Sequence, residues 1–481
     1  MKKELKKYIP WIILLLVILS LSLWYVLSRR VTQEQLELYN ERVEEAATHA
    51  EARQYSVAIE KYYEAVDIVP KKVEAYEGIV SVLLLKNRID DAKQVVEKSA
   101  KPLSNNDRSI LYNMIGDAYS DVGKYREAFD MYDAGLVLGV KNMQLELSLG
   151  KIFLKLGDIN QAKKQFQKQG YEEEVKMEAN LLLAYIYAVE DVSNAKKTLS
   201  SVKPSGSMQV NYEEFKGVLD SLDDDEKFNA SKLARIYINN GYPYLAILVL
   251  GPLKENMSEY LEGMYFLGRA YFDFGDYEKA IETLDRALTL GGMETEILWT
   301  KARAYLMDND LDNMVKSYDG AIGYAGAEVN SDLVKEYIDI LLDNKQGLKA
   351  NELVKDLLLL LPDEPYLNLL SVKTHYNLNE SVKVDFYLSK LEGLELTGSD
   401  EKEYLQWKIM VLLESDGDVD EYMVKLVSID KFNPYYNLFL AQTQIKDNEV
   451  ELAIQSLEKA IEYDLEYEVT EEARKLLSSL R

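Results

Sequence analysis

A period of 34 residues constrains this chain more than any other feature of its sequence. Arg269 follows Arg235 by 34 residues, and Arg303 follows Arg269 by the same interval. A small residue precedes each Arg, and a Tyr follows each two positions later. A fixed period in this range indicates stacked helical hairpins, each of which buries its apolar face against its neighbours. We therefore expect an all-α array rather than one compact core.

Small and aromatic residues recur at fixed positions within this period. The clearest copy consists of Met264, Leu267, Gly268, Tyr271, Gly275, Tyr277, Ala280, Leu284 and Ala287. A Gly in the first helix of a hairpin lets the second helix approach closely, and we expect Gly268 to face Ala280 across that contact. Gly275 falls at the turn, where a left-handed backbone is needed.

This pattern resembles the tetratricopeptide repeat, a helix–turn–helix unit of about 34 residues. The resemblance implies an α-solenoid with a right-handed superhelix. We predict an N-terminal sub-array of about five units at residues 39–203, a linker with one helix at residues 204–226, and a C-terminal sub-array of about seven units at residues 227–467. Residues 365–432 keep a helical periodicity but lose the signature residues. Residues 468–481 are expected to form a capping helix, which the end of an array needs.

A second feature is the uncharged run from Tyr8 to Leu27. A helix of about 20 residues spans the hydrocarbon of a bilayer, so we predict one transmembrane helix at residues 8–28, behind a cytoplasmic basic tail at residues 1–7. A cleaved signal peptide is the alternative. Four Lys precede the run and two Arg follow it. This bias predicts a single-pass protein of the cell membrane with its array outside the cytoplasm.

Composition argues against several kinds of site. The net charge of −26 is unsuited to nucleic acid. Cys is absent, and His49 and His375 are the only His, so thiolate or His-based metal sites and His-dependent catalysis are not expected. Phosphate-binding and dinucleotide-binding Gly motifs are also missing. We expect neither an enzyme nor a protein that binds a cofactor or a metal.

The periodic Arg residues indicate where a partner would bind. In the family that the repeat resembles, first helices line the ligand groove, and the residue after the small Gly or Ala points into it. The predicted partner-binding groove comprises Arg235, Tyr265, Arg269, Phe272, Trp299, Arg303 and Leu306. Guanidinium groups suit carboxylates, so the expected partner is a protein or peptide segment with acidic groups.

The sequence leaves alternatives open for this set of residues. The Arg side chains could pair with acids of adjacent helices, such as Asp273, Glu262 or Glu296, and stabilise the array without binding a ligand. The aromatic and Arg residues could instead form an extracytoplasmic glycan-binding or enzyme-accessory module. The interpretation that the sequence favours is a membrane-anchored scaffold for a protein partner, in envelope assembly or secretion.

Overall fold

The computed structural model describes residues 31–481 except for residues 169, 171, 207 and 258. Every regular element in the described part is helical. The α-helices are α1 Gln33–Glu51, α2 Tyr55–Ile68, α3 Glu74–Leu85, α4 Ile89–Lys98, α5 Asn105–Asp121, α6 Tyr125–Val137, α7 Met143–Lys155, α8 Ile159–Phe166, α9 Glu173–Glu190, α10 Val192–Leu199, α11 Met208–Asp220, α12 Glu226–Asn239, α13 Pro243–Leu250, α14 Leu261–Phe274, α15 Tyr277–Leu288, α16 Glu294–Met307, α17 Leu311–Ala325, α18 Ser331–Asp343, α19 Gly347–Leu360, α20 Pro365–Asn377, α21 Ser381–Glu392, α22 Gly398–Glu414, α23 Asp420–Ile429, α24 Pro434–Lys446, α25 Val450–Tyr463 and α26 Thr470–Leu480. Two short 3-10 helices, Gly251–Met257 and Gly326–Glu328, follow α13 and α17.

The helices pack mainly against their neighbours in sequence, which is the arrangement expected of a repeat array. Most helical pairs share one type of turn, with a residue at positive φ two positions before the second helix, or four positions before it for Asp416. Those turn residues are Arg53, Asn87, Gly123, Gly157, Gly241, Gly275, Asn309, Lys345, Asn379, Asp416 and Asn448. Gly and Asn predominate because they tolerate the left-handed conformation best. The pair α9 and α10 differs, since Asp191 alone separates the two helices.

Small residues of the first helices admit bulky residues of the second helices. A Cβ built on Gly268 would lie 2.7 Å from Cγ of Leu284, so the residue that faces Gly268 most closely is Leu284 rather than Ala280. In the same way, a Cβ built on Gly150 would lie 2.4 Å from Cε1 of Phe166. Ala280 is itself fully buried and belongs to the same interface. The sequence pattern therefore identifies the close contact, but it mistakes the partner by one helical turn.

Contacts group the chain into two compact units. Unit 1 contains the described residues up to Ile115 together with Leu138–Val140. Its core is built on Tyr39, Ala46 and Tyr62, which are all buried. Unit 2 contains Gly116–Val137 and Lys141–Arg481. The predicted division into sub-arrays at residues 204–226 stays a prediction.

Unit 2 has a chain of hydrophobic clusters instead of one centre. A large cluster extends from Leu147 to Ile297, and further clusters follow along the helices to Ala473. Buried Tyr residues such as Tyr237 and Tyr318 fill the spaces between helices. Each helical pair therefore depends on its neighbours for burial, and side chains on the remaining faces of the helices are left for solvent or a partner.

The predicted localisation is contradicted. No helix among the described residues is both long enough and apolar enough to cross a membrane. The long helices α1 and α9, with 19 and 18 residues, each carry several charged side chains, and such charges are costly in hydrocarbon. The predicted basic tail at residues 1–7 and the span at residues 8–28 lie outside the described residues. A single-pass protein of the cell membrane is therefore not supported.

Candidate binding surface

The predicted groove residues lie on three first helices, α12, α14 and α16. Helix α14 packs against both α12 and α16, which places the three helices side by side in unit 2. The three guanidinium groups differ in their surroundings. Arg235 on α12 is exposed, whereas Arg269 and Arg303 are partly buried. No ion pair to Arg235 occurs among the residues that the structure describes.

The aromatic and apolar members of the predicted groove are less accessible than the Arg residues. Tyr265 is only 8% exposed and belongs to the hydrophobic core. Phe272 is half-buried, with its ring centroid 6.0 Å from that of Tyr277. Trp299 and Leu306 are partly buried against the adjacent core. Tyr265 therefore supports α14 from inside, and the accessible part of the set consists of the Arg residues with the partly buried Phe272, Trp299 and Leu306.

Arg269 pairs with an acid on its own helix. Its Nε atom donates to Oδ2 of Asp273 at 2.9 Å, one helical turn further along α14. Burial raises the pKa of Asp273, although the charges of Arg269 and Arg303 oppose that shift. Asp273 therefore lies between two guanidinium groups of consecutive units. Asp273 is one of the acids that the sequence offers as an alternative partner for the Arg residues, although it lies on the same helix as Arg269.

Arg303 is held by an acid of the next unit, Glu336 on α18. Its Nε atom donates to Oε1 of Glu336 at 2.8 Å and to Oε2 at 3.1 Å, and its Nη2 atom donates to Oε2 as well. Nε1 of Trp299 donates to the same carboxylate at 3.2 Å, and the Tyr318 hydroxyl donates a further bond. The Arg303 guanidinium also lies over the Trp299 ring, 4.3 Å from its centroid. One carboxylate thus joins α16, α17 and α18.

The electrostatics of Glu336 follow from these bonds. Burial would raise the pKa of its carboxyl group, but the hydrogen bonds from Arg303, Tyr318 and Trp299 outweigh burial and lower it. The bond to Glu336 in turn raises the pKa of Arg303. Glu336 is therefore a fixed anion, and much of the charge of Arg303 is already neutralised within the array.

Glu336 and Tyr318 are the members of this cluster that the predicted groove did not include. Glu336 follows Arg303 by 33 residues, one position before the place that the 34-residue period assigns to the next Arg. The corresponding residues after Arg235 and Arg269 are Gly268 and Ala302, which carry no charge. An acid at this offset was a usable signal, but it occurs in only one of the three units.

Comparisons with known proteins find similarity to tetratricopeptide repeats. A family model described as tetratricopeptide repeat matches residues 261–290 and 434–467. A TPR repeat-containing protein of Methanocaldococcus jannaschii is 24% identical over 278 residues, which make up 55% of this chain and 46% of the relative. The match thus spans less than half the length of that relative. Two segments of the helical array, residues 261–290 and 434–467, are thus similar to tetratricopeptide repeats.

Solved structures with a related arrangement share little sequence with this chain. Yeast Tom70 has a TM-score of 0.38 and 14% identity, and the alignment covers 92% of this chain and 96% of that one. Pseudomonas aeruginosa pilF has a TM-score of 0.34 and 16% identity over 46% of this chain and 98% of its own.

Proposed function

We propose that this array is a scaffold that binds an acidic protein or peptide segment on the surface formed by α12, α14 and α16. The observation that carries the proposal is Arg235, an exposed guanidinium beside the equivalent Arg269 in a chain whose net charge is −26. The stacked helices of a repeat array present an extended surface to a partner. Exposed Arg on a rigid helix is well suited to bind a carboxylate in two-pronged fashion.

The three Arg residues contribute differently to the proposed surface. Arg269 and Asp273 form a pair one helical turn apart, and partly exposed pairs of this type are weak, on the order of 0.5 kcal/mol. Arg269 can therefore donate to a carboxylate of a partner while it remains beside Asp273. Arg303 is anchored by Glu336 through several bonds and acts chiefly to position Trp299. The direct contacts are assigned to Arg235 and Arg269, with Phe272 and Leu306 at the apolar margin.

The proposal is narrower than the expectation from the sequence. A role in envelope assembly or secretion depended on the predicted membrane span, so it is not part of the proposal. Glycan binding, the second candidate, needs accessible ring faces. Tyr265 is buried and the Trp299 ring is covered by Arg303, so a protein partner fits this surface better.

A peptide array tests the proposal directly. The full-length chain is applied to disordered peptides that contain Asp or Glu, each printed beside its Asn or Gln counterpart. We expect the acidic members to bind and R235Q/R269Q to reduce that binding by about tenfold or more, because each charge-assisted contact contributes about 1.5–3 kcal/mol. R286Q is the matched control, since Arg286 lies on the second helix α15 and pairs with Glu255.

Two outcomes would reject the proposal. Equal binding of the acidic peptides and their amide counterparts would show that carboxylates are not recognised. Unchanged binding by R235Q/R269Q would leave these residues with a purely structural role. Binding to an oligosaccharide array that R235Q/R269Q abolishes would favour the glycan alternative instead.

A further inference from the structure

A cavity of about 390 Å³ opens on the first helices near the carboxyl end of unit 2. It lies where α22 packs against α20 and α24, in and beside the segment that loses the repeat signature. Its walls include Lys373, Glu403, Trp407, Tyr435, Phe439 and Glu468. The cavity is separate from the surface on α12, α14 and α16, and the proposed function does not use it.

Aromatic rings form the apolar wall of this cavity. Trp407 is partly buried, with its ring centroid 5.3 Å from that of Tyr376. The Tyr435 ring lies beside Phe439, with 5.9 Å between centroids. These rings are fixed by the core beneath them, which makes them rigid surfaces on which a flat or cationic group could stack.

Carboxylates surround the aromatic wall. Burial and the charges of Glu468, Asp464, Glu472 and Glu403 raise the pKa of Tyr435 to about 12. Burial also raises the pKa of Glu403, although Lys335 and Lys373 oppose it. Four carboxylates therefore act on the hydroxyl group of Tyr435 at this wall.

The Lys residues around the cavity only partly offset these carboxylates. Lys373 is bound to Asp339 at 2.5 Å, and Lys335 lies 3.8 Å from Asp400. Lys402 also lines the cavity, and its charge acts on Glu468, which at the same time experiences repulsion from Glu466, Asp464 and Glu403. Glu403 and Glu468 have no ion pair among the residues that the structure describes. A cation that entered the cavity would meet two carboxylates that lack an ion pair, one of which, Glu403, accepts a hydrogen bond from Trp407.

We infer that this cavity binds an arginine side chain of a partner peptide, with the guanidinium between Glu403 and Glu468 and stacked on Trp407 or Tyr435. A guanidinium is flat, weakly hydrated and able to donate to two carboxylates at once, so it matches both walls. The acidic groups favour a cation over a neutral group of the same shape. This site selects the opposite charge from the surface around Arg235 and Arg269.

Fluorine NMR of the full-length chain labelled with 5-fluorotryptophan tests the inference. The chain has four Trp residues, of which Trp407 lines the cavity and Trp299 lies in the Arg303 cluster. The probes are the peptide acetyl-Gly-Arg-Gly-amide and its neutral citrulline counterpart, and W407F assigns the resonance. We expect the arginine peptide to shift the Trp407 signal to saturation, and the citrulline peptide to leave it unchanged at the same concentration.

Variants separate the site from a general charge effect. We expect E403Q/E468Q to weaken binding of the arginine peptide by about tenfold or more. Glu466 is an exposed neighbour outside the cavity, and we expect E466Q to change the affinity for this peptide little. E468Q alone serves if the double variant melts at a lower temperature than the wild type. Equal shifts from both peptides, no shift from either, or unchanged affinity in E403Q/E468Q and E468Q would overturn the inference. An acidic peptide that shifts only the fluorine signal of Trp299 would report on the proposed function, independently of the cavity.

Discussion

Nε of Arg303 donates a 2.8 Å hydrogen bond to Oε1 of Glu336, which joins the first helices of two consecutive units. The same carboxylate also accepts bonds from Trp299 and Tyr318, so its removal would affect three helices at once. In an array, stability depends on the interfaces between adjacent units as well as on each unit. This cluster is therefore part of an interface, and its loss should weaken unit 2 locally.

Replacement of Glu336 by Gln tests the contribution of this cluster. E336Q keeps the shape of the side chain but leaves the partly buried guanidinium of Arg303 without its anion. We expect a loss of about 1–3 kcal/mol at neutral pH, the range for a hydrogen bond to a charged group. Urea titration followed by circular dichroism measures the loss. E262Q is the control, because Glu262 is exposed and accepts only a 3.4 Å bond from Tyr260, and an equal loss in both variants would contradict the prediction.

The effect of E336Q should depend on pH in a defined direction. Burial notwithstanding, the hydrogen bonds to Glu336 lower the pKa of its carboxyl group in the folded chain. Its contribution to stability is therefore present above the unfolded pKa of about 4.3 and disappears as the pH falls through the lower folded pKa. We expect the wild type and E336Q to differ most near neutral pH and to converge in acid. A difference in transition midpoint that stays constant from neutral pH into acid would contradict this assignment.

Residue spacing could predict which positions of a hairpin are small, buried or at the turn, but neither the exact partner of Gly268 nor which charges meet between hairpins. The small Gly268, the turn residue Gly275 and the buried Ala280 all follow from the period, since each is needed by the helix–turn–helix geometry itself. The bond from Arg303 to Glu336 depends on the offset between two first helices and on long, flexible side chains. The residue types within one repeat determine neither this offset nor the conformation of those side chains.

The sequence also could not predict how exposed each side chain of the predicted groove is. Equal phase in consecutive units gives Arg235, Arg269 and Arg303 equal positions on their helices, yet only Arg235 is exposed. The difference arises from what lies opposite each one, namely Asp273 for Arg269 and Glu336 for Arg303. Tyr265, predicted as a groove residue, is buried because its ring fills the core beside α14.

The close contact at Gly268 predicts a strong dependence on side-chain size. A methyl group on Gly268 would lie 2.7 Å from Leu284, so G268A should destabilise unit 2 by about 1–3 kcal/mol. L284A itself leaves a cavity at a fully buried position, but in the L284A background G268A should cost less than it does in the wild type. Gly217 provides the matched control, since it lies inside helix α11 with open space around its Cβ position. G217A should therefore stabilise the chain by about 0.5–1 kcal/mol through helix propensity alone. If thermal melts gave G268A and G217A the same melting temperature, the result would contradict this packing.

The final helix depends on one buried carboxylate. Asp464 is 1% exposed and accepts bonds from the backbone N–H groups of Val469 at 2.9 Å and Thr470 at 2.8 Å, and from the Thr470 hydroxyl at 2.7 Å. These donors stand at the start of α26, where backbone N–H groups have no partner within the helix. D464A would leave them buried and unsatisfied, at a cost of about 1–3 kcal/mol.

The damage from D464A should stay at the end of the array. Helix α26 packs on α25 through Val469 and Ala473 and has no further unit beyond it in the described chain. We therefore expect faster hydrogen exchange in residues 470–480, a smaller effect in 450–463 and none in 261–274, because units couple mainly to their neighbours. D447A is the control, since Asp447 is exposed at the end of α24 and makes no cap of this kind. Uniformly faster exchange throughout unit 2 would show that the carboxylate supports the whole array rather than its last helix.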